Sequence, residues 1–134
     1  MPLSEKQIKG LVYYWSFTAE HDYETMNSLF KIKRYSDSLF FGHIVLEKIL
    51  KALFVKVVKK ESPKIHDLVK LGKLVKIELP LEDWEFLKVV DRFNMRARYP
   101  DIKFQFYKLS DAKYTKENIN KISQLYKKLC QMLK

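Results

Sequence analysis

Residues 35–59 read YSDSLFFGHIVLEKILKALFVKVVK, and this stretch decides the fold. Its apolar side chains, such as Leu46, Ile49 and Leu53, recur at intervals of three and four positions, which is the spacing of an α-helix with a buried face. The apolar surface is too wide for a single contact, so we expect this helix to be central. Gly42 costs about 1 kcal/mol relative to alanine within a helix, which makes sense if another backbone packs closely there.

The same spacing on either side of this segment predicts further helices. One runs from Ser4, whose hydroxyl can form a capping box with Gln7, to about residue 31. A short helix is expected over 66–76 and a longer one over 81–98. The longer helix should end there because Pro100 disfavours helical geometry in the residue before it.

The stretch 101–114 carries several aromatic residues without helical spacing, and we expect an ordered loop there. Thr115 then caps a last helix. Only 3 glycines and 4 prolines in 134 residues exclude a turn-rich all-β architecture. We therefore expect one all-α domain over residues 1–134, an antiparallel up-and-down bundle of four long helices and one short helix.

The chain is strongly basic, with 26 lysines and arginines against 16 acidic residues and a formal net charge of +10. Such an excess creates a positive potential over part of the surface, so polyanions are natural partners. The alternative is that the lysines simply keep the helix faces in water. Both interpretations stay open from charge alone.

Cysteine content and hydropathy indicate a cytoplasmic protein. The lone Cys130 cannot form an internal disulfide, which suggests a reducing compartment. The first residues lack the apolar core of a signal sequence, and charged side chains interrupt the apolar run over 39–58. We expect no membrane span.

Polar residues interrupt the apolar helices at specific points. His43 and Glu47 lie four apart, on one helix face, and could supply two metal ligands. A structural metal needs about four ligands, so we expect no metal and favour an ion pair between helices instead. That pair would join Glu47 or Asp22 to Lys48 or Lys51.

His66 and Asp67 form a second polar group, just before the short helix. Asp67 is suited to cap the first turn of that helix. His66 can carry a proton near neutral pH, because histidine titrates in that range.

A third group lies at the expected end of the fourth helix, and comprises Arg92, Asn94, Arg96, Arg98 and Tyr99, followed by Asp101. Guanidinium groups bind phosphate in bidentate fashion, and an aromatic ring can stack on a base. Arg92 and Tyr99 would share one side of a continuing helix. The alternative is that carboxylates such as Asp101 neutralise these arginines. Lysines that flank the aromatic residues 104–107 add minor support for binding of single strands.

Together these segments resemble the HEPN domain, a family of small helical bundles, over nearly the whole chain. The resemblance rests on the following motifs, in this order: Ala19 and Asp22; Tyr35, Gly42-His43, Glu47-Lys48 and Leu50-Lys51-Ala52-Leu53; His66-Asp67-Leu68; and Arg98-Tyr99-Pro100-Asp101. It implies a bundle that often forms homodimers, with its functional cleft near the arginine motif.

Many HEPN proteins are metal-independent ribonucleases, including toxins that a minimal nucleotidyltransferase neutralises. Their motif is an arginine, an adjacent polar residue and a histidine. Here Arg92 fits the arginine, Asn94 is polar but one place late, and Tyr99 stands where the histidine would be. Tyrosine, with a pKa near 10, is a poor general base at neutral pH.

The departure from the ribonuclease motif leads to a first hypothesis. The chain is a nucleotide- or RNA-binding module without efficient nuclease chemistry or a cofactor, and it works with a minimal nucleotidyltransferase in a toxin–antitoxin-like system. The resemblance further implies that Tyr99 is the hydroxyl such a partner modifies. Two alternatives remain: an active metal-independent ribonuclease toxin, and a structural dimer or protein-interaction subunit.

Overall fold

The computed structural model describes residues 2–134, which form six α-helices and no strand. In chain order they are α1 (Glu5–Lys31), α2 (Tyr35–Val58), α3 (Leu68–Val75), α4 (Leu81–Asp91), α5 (Pro100–Leu109) and α6 (Ala112–Met132). The predicted all-α class is confirmed, but the predicted count of five helices is wrong. Within residues 2–134, none of the helices combines the length and the hydropathy needed to cross a bilayer.

The first two helices form a hairpin. The predicted capping box is present at the start of α1, where the Gln7 backbone N–H donates to Ser4 Oγ and the Gln7 side chain accepts from the Ser4 backbone. Lys33 ends the helix in the left-handed region, with φ of 64°. A turn this short returns the chain along α1, so the two helices are antiparallel neighbours.

Helix α2 is the central helix, as its wide apolar surface predicts, and it contacts α1, α3, α4, α5 and α6. Gly42 marks its tightest point. A Cβ atom at Gly42 would lie 2.5 Å from Ile122 Cδ1 and 3.3 Å from Met26 Sδ. The close packing expected at Gly42 is therefore confirmed, although the neighbours are side chains from α6 and α1 rather than another backbone.

The region after α4 differs from the prediction. Helix α4 ends at Asp91 rather than near Arg98, because Arg92 and Phe93 donate to carbonyls only three residues back and tighten the last turn. Ala97 then adopts a left-handed conformation, with φ of 56°, that no α-helix contains.

The stretch predicted as a loop, 101–114, is helical over most of its length. Pro100 occupies the first turn of α5, a position that proline favours, so it starts a helix as well as ending the preceding segment. Only Phe106 of α5 is buried, which explains why the apolar spacing gave no helical signal. Helix α6 is capped by Asp111, whose carboxylate accepts from the Tyr114 N–H, and not by Thr115.

Candidate functional site

Charged and polar side chains meet between α2, α3 and α4, in a group that runs from buried residues of α2 to the exposed residues His66 and Arg96. We call this group the buried ion cluster; it consists of His43, Glu47, Lys51, His66, Asp91 and Arg96. His43 is fully buried, and Glu47 and Lys51 are almost so. A buried charge is costly unless it is paired, so the contacts within this cluster decide whether the fold tolerates it.

Glu47 is the centre of the cluster, as three side chains lie within hydrogen-bond distance of its carboxylate. Lys51 Nζ and His66 Nδ1 each lie 3.0 Å from Oε2, and Arg96 Nη1 lies 3.0 Å from Oε1. Burial alone would raise the pKa of Glu47, but the hydrogen bonds from His66, Lys51 and Arg96 together hold that pKa below its ordinary value. Glu47 is therefore ionised at neutral pH.

His43 links α2 to the segments that precede α3 and end α4. Its Nε2 lies 3.0 Å from the His66 carbonyl oxygen and 3.4 Å from Asp91 Oδ1. Since both neighbours accept, Nε2 carries the proton. Its Nδ1 has no hydrogen-bond partner among residues 2–134 and lies 3.7 Å from Glu47 Oε1. Asp91 in turn accepts from the Leu68 N–H, which fixes α4 to the start of α3.

His66 is placed between two groups that make opposite demands on one nitrogen. Its Nδ1 lies 3.0 Å from Glu47 Oε2, which can only accept, and 2.9 Å from Arg96 Nη1, which can only donate. A proton on Nδ1 satisfies Glu47 but opposes Arg96, whereas a bare Nδ1 accepts from Arg96 and opposes Glu47. The side chain of His66 is 51% exposed, so this imidazole is accessible to solvent.

The other polar residues singled out in the sequence have structural contacts. The predicted ion pair between helices is present, since Lys48 Nζ of α2 lies 2.6 Å from Asp22 Oδ2 of α1, whereas the pair of Lys51 with Glu47 lies within α2. Asp67 caps α3 as predicted, by accepting from the Lys70 N–H. Within residues 2–134, no three histidine, cysteine, aspartate or glutamate side chains are grouped so as to hold a metal ion.

The predicted phosphate site lies in a turn rather than at a helix end. We call residues 92–99 the arginine turn. Because α4 ends at Asp91, the prediction that Arg92 and Tyr99 share one side of a continuing helix is wrong. Arg96 bonds to Glu47, so the alternative of neutralisation by a carboxylate holds for this residue.

The remaining members of the arginine turn lie further out. Arg92 is exposed, and its guanidinium partly offsets the rise that burial causes in the pKa of Tyr114. Arg98 donates from Nε to the Asn94 backbone oxygen. Tyr99 is 78% exposed. The structure therefore brings Arg96 to the buried ion cluster, together with His66, and leaves the other charged and phenolic groups at the surface.

Two aromatic rings on the exposed side of α5 follow the arginine turn. Phe104 and Tyr107 stack with ring centroids 6.2 Å apart and an interplanar angle of 8°, and both rings are more than half exposed. The ammonium of Lys108 lies 4.4 Å from the centre of the Phe104 ring. Asp101 lies in the first turn of the same helix and is also exposed. We call Phe104, Tyr107 and Lys108 the α5 face.

Sequence reasoning missed the association of Glu47, His66 and Arg96, which come from three separate segments. The only signal was that each is polar in an apolar context, and this does not reveal which polar residues meet.

Comparison with known protein families gave a match. A sequence model of the HEPN domain matches residues 12–134, which is nearly the whole chain. No curated protein and no solved structure matched. The matched region contains both the buried ion cluster and the arginine turn, and the resemblance noted in the sequence is thereby confirmed. The chain belongs to the HEPN domain family.

Proposed function

We propose that this protein binds single-stranded RNA or nucleotides through the arginine turn and the α5 face, and that it does so without efficient nuclease chemistry. One observation carries the proposal: the exposed, stacked pair of Phe104 and Tyr107, with Lys108 above one ring. Bases stack on exposed aromatic rings whatever their sequence, and the cation next to this pair suits the phosphates of a bound strand.

The charges around the α5 face suit a polyanion. Arg92, Arg98 and Tyr99 are exposed just ahead of it in the chain. The bond from Arg98 to its own backbone uses Nε, so the two terminal nitrogens can meet a phosphate. Arg96 is hydrogen-bonded to Glu47, so we propose that it stabilises the conformation of the turn and does not contact the RNA. Proteins that bind single strands hold the phosphates with basic side chains and stack the bases on aromatic rings, and both kinds of group are exposed here.

A binding measurement tests the proposal. Fluorescence anisotropy with a labelled single-stranded RNA at low salt should give saturable binding, and the double variant Phe104→Ala/Tyr107→Ala should bind at least about tenfold more weakly, since each stacked base contributes about 1–3 kcal/mol. Tyr13 and Phe17 form a second exposed stacked pair, on α1, with centroids 5.5 Å apart. Tyr13→Ala/Phe17→Ala is therefore the matched control and should bind like wild type. Equal affinity in both double variants would refute the proposal.

Membership of the HEPN family supports three further parts of the proposal. The protein acts in the cytoplasm, forms a homodimer, and works with a minimal nucleotidyltransferase that modifies the Tyr99 hydroxyl. The exposure of Tyr99 suits such a modification. Sedimentation at several concentrations tests the dimer. Co-expression with a candidate nucleotidyltransferase, followed by intact mass measurement of wild type and Tyr99→Phe, tests the modification; an equal mass increase in the variant excludes Tyr99.

A second candidate function, a metal-independent ribonuclease, is favoured by the position of His66. When His66 Nδ1 donates to Glu47, the neutral ring presents Nε2 as a base, and Arg96 lies 2.9 Å from the same ring. Incubation of the purified protein with RNA in EDTA, alongside His66→Ala, separates the candidates. His21 is also exposed next to a carboxylate, that of Asp22, and His21→Ala is the control. Cleavage that only His66→Ala abolishes would establish the ribonuclease; no cleavage by wild type supports the binding module.

A further inference from the structure

A cleft of about 680 Å³ opens between the α1–α2 turn and the last turn of α5. We call it the basic cleft. Three of its lining residues are cationic, Lys33, Arg34 and Lys108, and one, Asp37, is acidic. Asp37 already pairs with Arg34 at 3.2 Å, in an exposed ion pair of little energetic weight. The cleft is thus positively charged, and its volume is in the range of small-molecule sites.

The basic cleft also offers aromatic and hydroxyl groups. Tyr35 and Tyr107 line it, and the Tyr35 ring is steadied by the Phe30 ring, whose centroid is 5.6 Å away. Ser36 lines it as well. Cations for a phosphate, rings for a base and hydroxyls for a sugar are the groups that a nucleotide requires.

Two contacts join this cleft to the surface already described. Tyr107 and Lys108 belong both to the α5 face and to the basic cleft. A second cleft, of about 370 Å³, shares Ser36 and Asp37 with it and extends to Lys103 and Arg96. A strand bound on the α5 face would therefore lie next to the basic cleft, with Asp37 as the one carboxylate that the two clefts share.

We infer that the basic cleft binds a nucleoside monophosphate group, with the phosphate at Lys33, Arg34 and Lys108 and the base against Tyr35 or Tyr107. This inference rests on the proposed function for its macromolecular ligand, the phosphorylated end of an RNA; a free nucleotide is the other source of the same chemistry. A terminal phosphate carries up to two negative charges against one for an internal phosphodiester, so a cleft lined by three cations and one carboxylate favours the end of a strand.

The test compares three probes on one protein: AMP, a short RNA with a 5′-phosphate, and the same RNA with a 5′-hydroxyl. Amide chemical shifts should move at Ser36, Tyr107 and Ser110 with AMP and with the phosphorylated RNA. The phosphorylated RNA should bind about tenfold more tightly than the hydroxyl form, as expected for charge-assisted hydrogen bonds to a terminal group that adds up to two negative charges. If AMP moves these amides but the two RNAs bind equally, the cleft is a free-nucleotide site.

A matched pair of variants keeps the test specific. Lys33→Gln/Arg34→Gln leaves the α5 face intact and should remove both the AMP shifts and the preference for the phosphate. Lys59→Gln/Lys60→Gln removes the same charge elsewhere and should remove neither; Lys59 shares the left-handed backbone of Lys33, with φ of 63° and 64° respectively.

The possible failures are distinguishable. If RNA binds without preference for a 5′-phosphate and AMP moves no amide in the cleft, the inference is wrong while the proposed function stands. If neither RNA binds but AMP shifts the cleft amides, the proposed function fails and the nucleotide site survives. Loss of the AMP shifts in the control variant to the same degree would also overturn the inference, because it would show a nonspecific charge effect.

Discussion

Glu47 and Arg96 lie 49 positions apart in the sequence, yet Arg96 Nη1 donates a 3.0 Å hydrogen bond to Glu47 Oε1. This bond attaches the arginine turn to the central helix of the bundle. It gives two arginines of the same turn different roles, since Arg96 is held by a buried carboxylate while Arg98 keeps its terminal nitrogens at the surface.

The first prediction concerns the buried carboxylate. Glu47→Gln removes the charge that pairs with buried Lys51 and keeps the volume, so the ammonium is left uncompensated. Removal of one partner of a buried pair costs about 3–5 kcal/mol of unfolding free energy. Urea denaturation should show this loss. Glu85 pairs with Lys88 at the surface, and Glu85→Gln should change stability by less than about 1 kcal/mol. Equal losses in the two variants would contradict the assignment.

The second prediction concerns pH. The folded-state pKa of Glu47 lies below its unfolded value, so ionised Glu47 contributes stability that is fully present above the unfolded pKa, near 4.5. That contribution is lost as the pH falls through the lower, folded pKa. The stability gap between wild type and Glu47→Gln should therefore shrink as the pH falls below about 4.5. A gap that widens on acidification would show the opposite sign.

The third prediction uses two glycines. At Gly42 a methyl group would meet Ile122 Cδ1 and Met26 Sδ in a packed interior, so Gly42→Ala should destabilise the fold by about 1–3 kcal/mol, less the gain in helix propensity. Gly10 has open space where a Cβ would lie, and Gly10→Ala should stabilise by up to about 1 kcal/mol. Thermal denaturation should give melting temperatures that move in opposite directions. Parallel shifts would contradict the packing described at α2.

The fourth prediction separates the two arginines. Arg96→Ala leaves Glu47 with one donor fewer and should lower the unfolding free energy by about 1.5–3 kcal/mol, the range for a hydrogen bond to a charged group. Arg98→Ala should leave stability within about 0.5 kcal/mol and weaken RNA binding. Chemical denaturation and anisotropy on the same samples measure both effects. A larger loss of stability in Arg98→Ala than in Arg96→Ala would contradict the assignment of Arg96 to the fold and of Arg98 to RNA binding.

Much of the fold follows from the sequence because the buried faces of α1, α2, α4 and α6 repeat at the helical period. Helix α5 escapes this reasoning, since it buries only Phe106 and exposes its other rings. Pro100 misleads for a related reason: it is compatible with the end of one helix and with the first turn of another.

The site was less predictable than the fold. The capping role of Asp67 and the pairing of Asp22 with Lys48 are local or between adjacent helices, and the sequence predicts them. The contact of Arg96 with Glu47 depends on the early end of α4, which leaves no clear sequence signal. The sequence alone therefore did not show which side chain each charged residue would pair with.

The salt dependence of RNA affinity tests the central proposal most directly. Each phosphate contact on a single strand contributes about 0.7 to the slope of log K against log salt concentration. The slope for Arg92→Ala/Arg98→Ala should therefore be shallower than that of wild type by about 1.4, while Lys6→Ala/Lys9→Ala on α1 keeps the wild-type slope. A slope unchanged in the arginine double variant would contradict RNA binding by the arginine turn.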